Sequence, residues 1–184
     1  MRKLANEELN RKSLDEFKES SKTPIVIVLD NVRSLNNVGS AFRTADAFLV
    51  DAVYLCGITG TPPNKEIQKT ALGATESVSW KYKPTTLEAL SELRSMGYLI
   101  CSIEQAENAQ MLNNFLPQRD QKIALVFGNE VKGVEQDVID QSDCVIEIPQ
   151  VGTKHSLNIA VSVGIVVWDV FQKLALAAGT LSKE

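Results

Sequence analysis

The feature that most constrains this chain is Ile25-Val-Ile-Val-Leu-Asp30, a run with no polar side chain until its last residue. A strand with one face in water alternates apolar with polar residues. An unbroken run instead belongs to a strand covered on both faces. Similar runs recur at Val53–Cys56, Tyr98–Ile103, Ile123–Phe127 and Cys144–Ile148, with helical patterns between them. Val38, Ala41, Phe42, Ala45, Phe48 and Leu49 make one apolar stripe. Leu87, Leu90 and Leu93 make a second, closed at Met96-Gly97 because glycine suits a helix end. Further helices are expected over Val134–Gln141 and Leu157–Ala177. Alternation of this kind predicts an α/β fold, a mostly parallel sheet with flanking helices.

A length of 184 residues suits one domain with a substantial core. Residues 1–22 are polar and helix-prone, with Leu14 and Phe17 as their apolar anchors, and read as a helical extension. The Thr23-Pro24 step then opens a domain expected over residues 23–184. Cys56, Cys101 and Cys144 each lie in an apolar run and none in a CxxC pair, which reads as buried, reduced thiols. With His155 the single histidine, no zinc ligand set assembles, so no metal is expected. The charged N-terminus is unlike a secretory signal. The most apolar stretch, Ile159–Phe171, is short for a bilayer crossing and contains Ser162 and Asp169. A cytoplasmic protein with no membrane partner is the expectation.

Ligands of open parallel sheets gather at the carboxyl ends of the strands, which directs attention to three loops. After Leu29 comes Asn31-Val-Arg-Ser-Leu-Asn36-Asn37-Val-Gly39-Ser40-Ala-Phe-Arg43. Asn36 or Asn37 can cap the helix that follows. Asn36, Gly39, Ser40 and Arg43 then share a face opposite the apolar stripe, Gly39 leaving room for close approach to the backbone. Arg43 is a planar donor fork suited to phosphate, or else a surface partner for Asp46. After Phe127 comes Gly128-Asn129-Glu130-Val-Lys-Gly133, a tight turn between strand and helix. After Ile148 comes Pro149-Gln-Val-Gly152-Thr-Lys154-His155-Ser156-Leu157-Asn158, in which Ser156 or Asn158 can cap the last helix. Neither GxGxxG nor GxxxxGK[ST] occurs, which removes the strongest marker of dinucleotide and P-loop sites.

Taken together and in order, these loops resemble the SpoU (TrmH-like) RNA 2′-O-methyltransferases of the α/β-knot superfamily. Asn36, Gly39 and Arg43 match the first motif. Gly128-Asn129-Glu130 with Gly133 matches the second, and Ile148-Pro149, Gly152 and Ser156-Leu157-Asn158 the third. The similarity runs from about Pro24 to Val170. Some relatives carry a separate N-terminal RNA-binding domain, whereas about 22 residues precede the core here.

The resemblance implies a C-terminal trefoil knot, a homodimer, and methylation of a ribose 2′-hydroxyl in structured RNA with S-adenosyl-L-methionine as donor. The RNA is tRNA or rRNA, with tRNA preferred. It implies donor binding by Gly128, Ile148 and Leu157. Arg43 is the implied catalytic arginine, and Asn36, Glu130, Ser156 and Asn158 shape the site and position the ribose. A guanidinium stays protonated, so Arg43 suits clamping a phosphate and stabilising an alkoxide rather than taking a proton. Glu130 is a further candidate for the proton acceptor. A formal net charge of −4 restricts any RNA-binding surface to a local one, for which Arg33, Lys65, Lys69, Lys132 and Lys154 are the candidates. The alternatives are a non-catalytic RNA-binding module on the same fold and a different α/β enzyme acting on small molecules.

Overall fold

A computed structural model of the chain describes residues 1–9 and 11–178. Its sheet contains β1 (Thr23–Asp30), β2 (Val50–Cys56), β3 (Trp80–Lys83), β4 (Leu99–Ile103), β5 (Gln110–Met111), β6 (Ile123–Phe127) and β7 (Cys144–Glu147). They lie in the order β3-β2-β1-β6-β4-β7-β5, and every pairing between them is parallel. The helices are α1 (Leu14–Glu19), α2 (Leu35–Ala47), α3 (Lys65–Ala71), α4 (Ala74–Ser77), α5 (Thr86–Ser95), α6 (Gln136–Asp140) and α7 (Ile159–Ala178). The five apolar runs are all strands. Two further strands, β3 and β5, complete the edges.

The run in β1 is unbroken because both of its faces are covered. Side chains alternate across a strand. Ile25, Ile27 and Leu29 therefore enter a core with Val38 and Phe42 of α2 and Val163, Val166, Val167 and Val170 of α7. Val26 and Val28 enter the opposite layer with Leu90 and Leu93 of α5 and Val138 of α6. Parallel register brings Leu29 beside Phe127, and Phe127 beside Ile103. The segments after β1, β6 and β4 thus leave the sheet side by side, and the site lies there.

Several boundaries differ from the sequence reading. Phe17 is 5% exposed and joins the core beneath β1, whereas Leu14 is 41% exposed and anchors nothing. Among the described residues of the extension Phe17 is the buried apolar side chain, with the Lys22 ammonium 4.6 Å from its ring centroid. Helix α6 begins at Gln136 rather than Val134, and α7 at Ile159 rather than Leu157. The expected domain limit at Glu184 lies outside the described residues. Helix α7 also corrects the estimate of its span. At 20 residues it is long and apolar enough, by length and composition alone, to cross a membrane. Its burial of Val163, Val166, Val167, Val170 and Leu174 against the sheet gives it the surroundings of a core helix.

Candidate active site

The chain leaves β1 through Asn31, whose φ of 54° lies in the left-handed region that asparagine tolerates. Its side-chain oxygen accepts from Ile58 N–H at 3.1 Å, and its carbonyl accepts from the Asn129 amide at 2.8 Å. Ser34 caps α2, accepting from Asn37 N–H at 3.3 Å. Neither Asn36 nor Asn37 is the cap; both lie inside the helix, and a serine three residues before Asn37 does the work. Gly39 also departs from expectation. It is buried against α3, where a Cβ would strike the Ile67 carbonyl and the Thr70 hydroxyl. What comes close to its backbone is another helix.

The turn after β6 is held by two hydrogen bonds, Asn129 N–H to the Gly133 carbonyl at 2.9 Å and Gly133 N–H to the Asn129 carbonyl at 2.8 Å. The Asn129 side chain also accepts from Val131 and Lys132 N–H. Gly133, with φ of 71°, lies against Glu104, whose carboxylate accepts from Val134 N–H at 3.1 Å. From this turn Glu130 reaches across to α2. It accepts from Arg33 N–H at 3.0 Å, Ser34 N–H at 2.9 Å and the Asn37 amide at 3.0 Å. Partial burial works against its charge, yet these donors and its own N–H hold its carboxyl below the usual carboxylate range. A carboxylate occupied in this way is a brace, and a weak proton acceptor.

Asn158 closes the network from the third loop. Its amide donates to the Asn37 side-chain oxygen at 3.3 Å, and its own side-chain oxygen caps α7 through Ala160 N–H at 2.9 Å. The structure therefore joins Glu130 and Asn158 through Asn37, a residue the motif reading did not assign. Asn36 is exposed on the helix surface, and its carbonyl accepts from Ser40 and Thr70 hydroxyls. Two neighbouring asparagines cannot be told apart by type; the helical rotation between them decides which faces the turn.

A cleft of about 590 Å³ lies between the turn after β6 and the segment after β7. It is lined by Gly128, Ile148 and Leu157, with Glu130, Lys132, Ser156 and Asn158, which brings seven of the expected residues together. Ile103, Glu104 and Gln105 at the end of β4 line it as well. The sequence offered no signal for them, because they follow an ordinary strand with no motif. The volume falls in the range for small-molecule sites, and the lining combines a few apolar side chains with many polar and charged ones. Among the described residues no cluster of three or more histidine, cysteine or acidic side chains stands ready to hold a metal ion.

Arg43 is elsewhere. It lines a shallower depression with Ser40, Thr44, Ala47, Phe48, Lys69 and Thr70. Its guanidinium is exposed and, among the described residues, has no hydrogen bond or ion pair, Asp46 being engaged by Ser77 instead. Of the lysines, Lys69 pairs with Glu66 at 2.7 Å, an exposed contact of small energetic weight. Arg33, Lys65, Lys132 and Lys154 are exposed, and among the described residues their charged ends have no hydrogen bond or ion pair.

The SpoU rRNA Methylase family model matches residues 24–168, most of the chain. The chain belongs to the SpoU family. A Staphylococcus aureus protein described as a TrmH family tRNA/rRNA methyltransferase is 32% identical over 160 residues, covering 87% of this chain and 63% of the relative. This SpoU chain thus spans under two thirds of that relative's length. Two solved structures share its fold. The AdoMet-bound rRNA methyltransferase of Sinorhizobium meliloti superposes with a TM-score of 0.76 at 24% identity, covering 89% of this chain and 62% of that one. A structure concerned with 2-OH methylation of C/U34 on tRNA gives a TM-score of 0.72 at 21% identity, covering 83% and 99%. The seven-stranded parallel sheet with helices on both faces is the α/β architecture of the SpoU and TrmH structures.

Proposed function

We propose that this SpoU-family protein transfers a methyl group from S-adenosyl-L-methionine to a ribose 2′-hydroxyl of structured RNA. The observation that carries the reading is the cleft, where three loops distant in sequence meet and a mainly polar lining surrounds the apolar side chains of Phe127, Ile148 and Leu157. Ile148, Leu157 and Phe127 suit an adenine ring, and Gly128 and its neighbours supply main-chain hydrogen bonds. When bound, the donor supplies an electrophilic methyl group on a sulfonium. The protein has to place a hydroxyl in line with it. Asn37, Glu130 and Asn158 fix the start of α2 relative to the cleft, and Ser156 faces the cleft itself. Arg43 lies outside this cleft, and in the homodimer proposed below it serves the cleft of the second copy, where it holds the neighbouring phosphate and stabilises charge developing on the ribose oxygen. The proton goes to phosphate or water, since Glu130 is committed to its donors.

The same proposal includes a homodimer. Trp168 is 49% exposed on α7 and, with Val161 and Ile165, leaves an apolar surface open. Its ring packs on Phe48 at 5.6 Å, and Phe48 borders the Arg43 depression. A second copy seated here would cover the apolar face and bring a surface to Arg43. The trefoil threading belongs to this reading too, as membership of the SpoU family implies. Transfer RNA is the preferred substrate, supported by a match that spans 99% of the tRNA-related structure.

The test is transfer of labelled methyl from S-adenosylmethionine to total tRNA and rRNA, comparing wild type with Arg43→Ala. Label should appear at one 2′-O position and fall by at least about 100-fold in the variant, with donor affinity unchanged. Equal loss of both would remove Arg43 from this role. A wild type that does not bind the donor would remove the methyltransferase reading altogether.

A further inference from the structure

The three walls of the cleft are not equally built. The segment from Pro149 to Leu157 supplies Gln150, His155, Ser156 and Leu157 to the lining, yet all of its residues are exposed. Among the described residues one hydrogen bond holds this segment, from the Gln105 side-chain amide to the His155 carbonyl at 2.8 Å. Gln105 itself is well anchored. Its N–H donates to the Glu104 carboxylate at 2.8 Å, and the other oxygen of that carboxylate accepts from Val134 N–H at 3.1 Å. One side of this contact is thus fixed to the end of β4 and to the turn after β6. The other side is a stretch of backbone with no further partner.

We infer that Gln105 is a positioning residue, a latch that holds His155-Ser156-Leu157 against the cleft and so sets the affinity for the methyl donor. The inference rests on the proposed function for the identity of that donor, S-adenosylmethionine. A backbone segment tied at a single point samples open conformations readily, and each one opens a wall of the cleft. Holding it in the binding-competent arrangement removes part of the ordering cost that the donor would otherwise bear. Gln105 is exposed and contributes nothing to the core, so its replacement tests the latch and leaves the fold in place.

Gln105→Met keeps the length of the side chain and removes the donor; Gln105→Glu removes the donor and sets a carboxylate against the His155 carbonyl. Two readouts apply to each variant. Trypsin cleavage after Lys154, inside the segment, reports opening without reference to any ligand. Calorimetric titration with S-adenosylmethionine reports donor affinity. The expected result is faster cleavage at Lys154 in both variants and donor binding weaker by about 2- to 10-fold, the range for one lost hydrogen bond. The thermal midpoint should stay at its wild-type value, which a general structural defect would not allow. Unchanged cleavage at Lys154 overturns the latch. So does unchanged donor affinity in both variants while the wild type binds normally, and in that case the proposed function stands. A wild type that fails to bind S-adenosylmethionine overturns the donor role of Gln105 together with the reading beneath it.

Discussion

Two regions border the same cleft and are built in opposite ways. At the corner where β1 and β6 end, Asp30 is 0% exposed and accepts from the Thr86 hydroxyl, the Asn31 amide and Glu135 N–H. Thr59 accepts from Val32 N–H and donates to the Leu29 carbonyl, and Glu130 takes three donors from the start of α2. Across the cleft, one hydrogen bond among the described residues, from Gln105, holds residues 149–157 from outside. The difference teaches how such a site divides its labour. Groups that must present fixed geometry to a reacting centre are over-determined by hydrogen bonds, while the wall through which a ligand passes is left loose.

The contrast breaks most easily at its rigid end. Asp30→Ala strands the Thr86 hydroxyl and Glu135 N–H inside the protein, and a loss of about 2–4 kcal/mol is expected in urea unfolding with an unchanged m-value. A loss well below that range would mean the corner is not braced as described. Glu130→Gln leaves a single acceptor oxygen for donors now shared by two, and should cost about 1 kcal/mol. The native carboxyl of Glu130 is held below its ordinary value of 4.5, so its contribution is complete above that pH and fades as pH falls through the depressed value. Stability of Glu130→Gln measured from pH 7 down to acid should lack this component. At the loose wall, Lys154→Ala should change stability by less than about 0.5 kcal/mol. It should still reduce the slope of RNA affinity against salt by about one ion, which would sharpen the contrast by separating function from stability.

Legibility in the sequence followed burial. The strands covered on both faces were visible as apolar runs, most plainly Ile25–Leu29 and Ile123–Phe127, because burial on both faces leaves no position for a polar side chain. The edge strands were not. Trp80–Lys83 reads WKYK and Gln110–Met111 is two exposed residues, so neither carries the apolar signal. Helices α3 and α4, with 7 and 4 residues, are too short for a stripe to repeat. Within the site, the motif residues Gly128, Glu130, Ser156 and Asn158 were legible as types, since capping residues and glycines stand out in loops. Their partners were not. Glu104 and Gln105 reach the cleft because β6 inserts between β1 and β4, an order that local pattern does not encode. The placement of Asn37 rather than Asn36 against Glu130 turns on about 100° of helix rotation, fixed by a cap at Ser34 that could equally have been assigned to either asparagine.

That insertion of β6 also bears on the order in which the molecule can be made. Strands β1 and β4 flank a place in the sheet whose occupant comes later in the chain than either. While the polypeptide emerges from the ribosome, both must wait with open edges until residues 123–127 arrive. The layer beneath them stays unfinished until α7 brings Val163, Val166, Val167 and Val170. Pairings this distant in sequence slow folding. The nascent chain therefore passes through a stage in which its most apolar strand lies half covered, and α7, which follows every strand of the sheet, completes the shelter of the first strand.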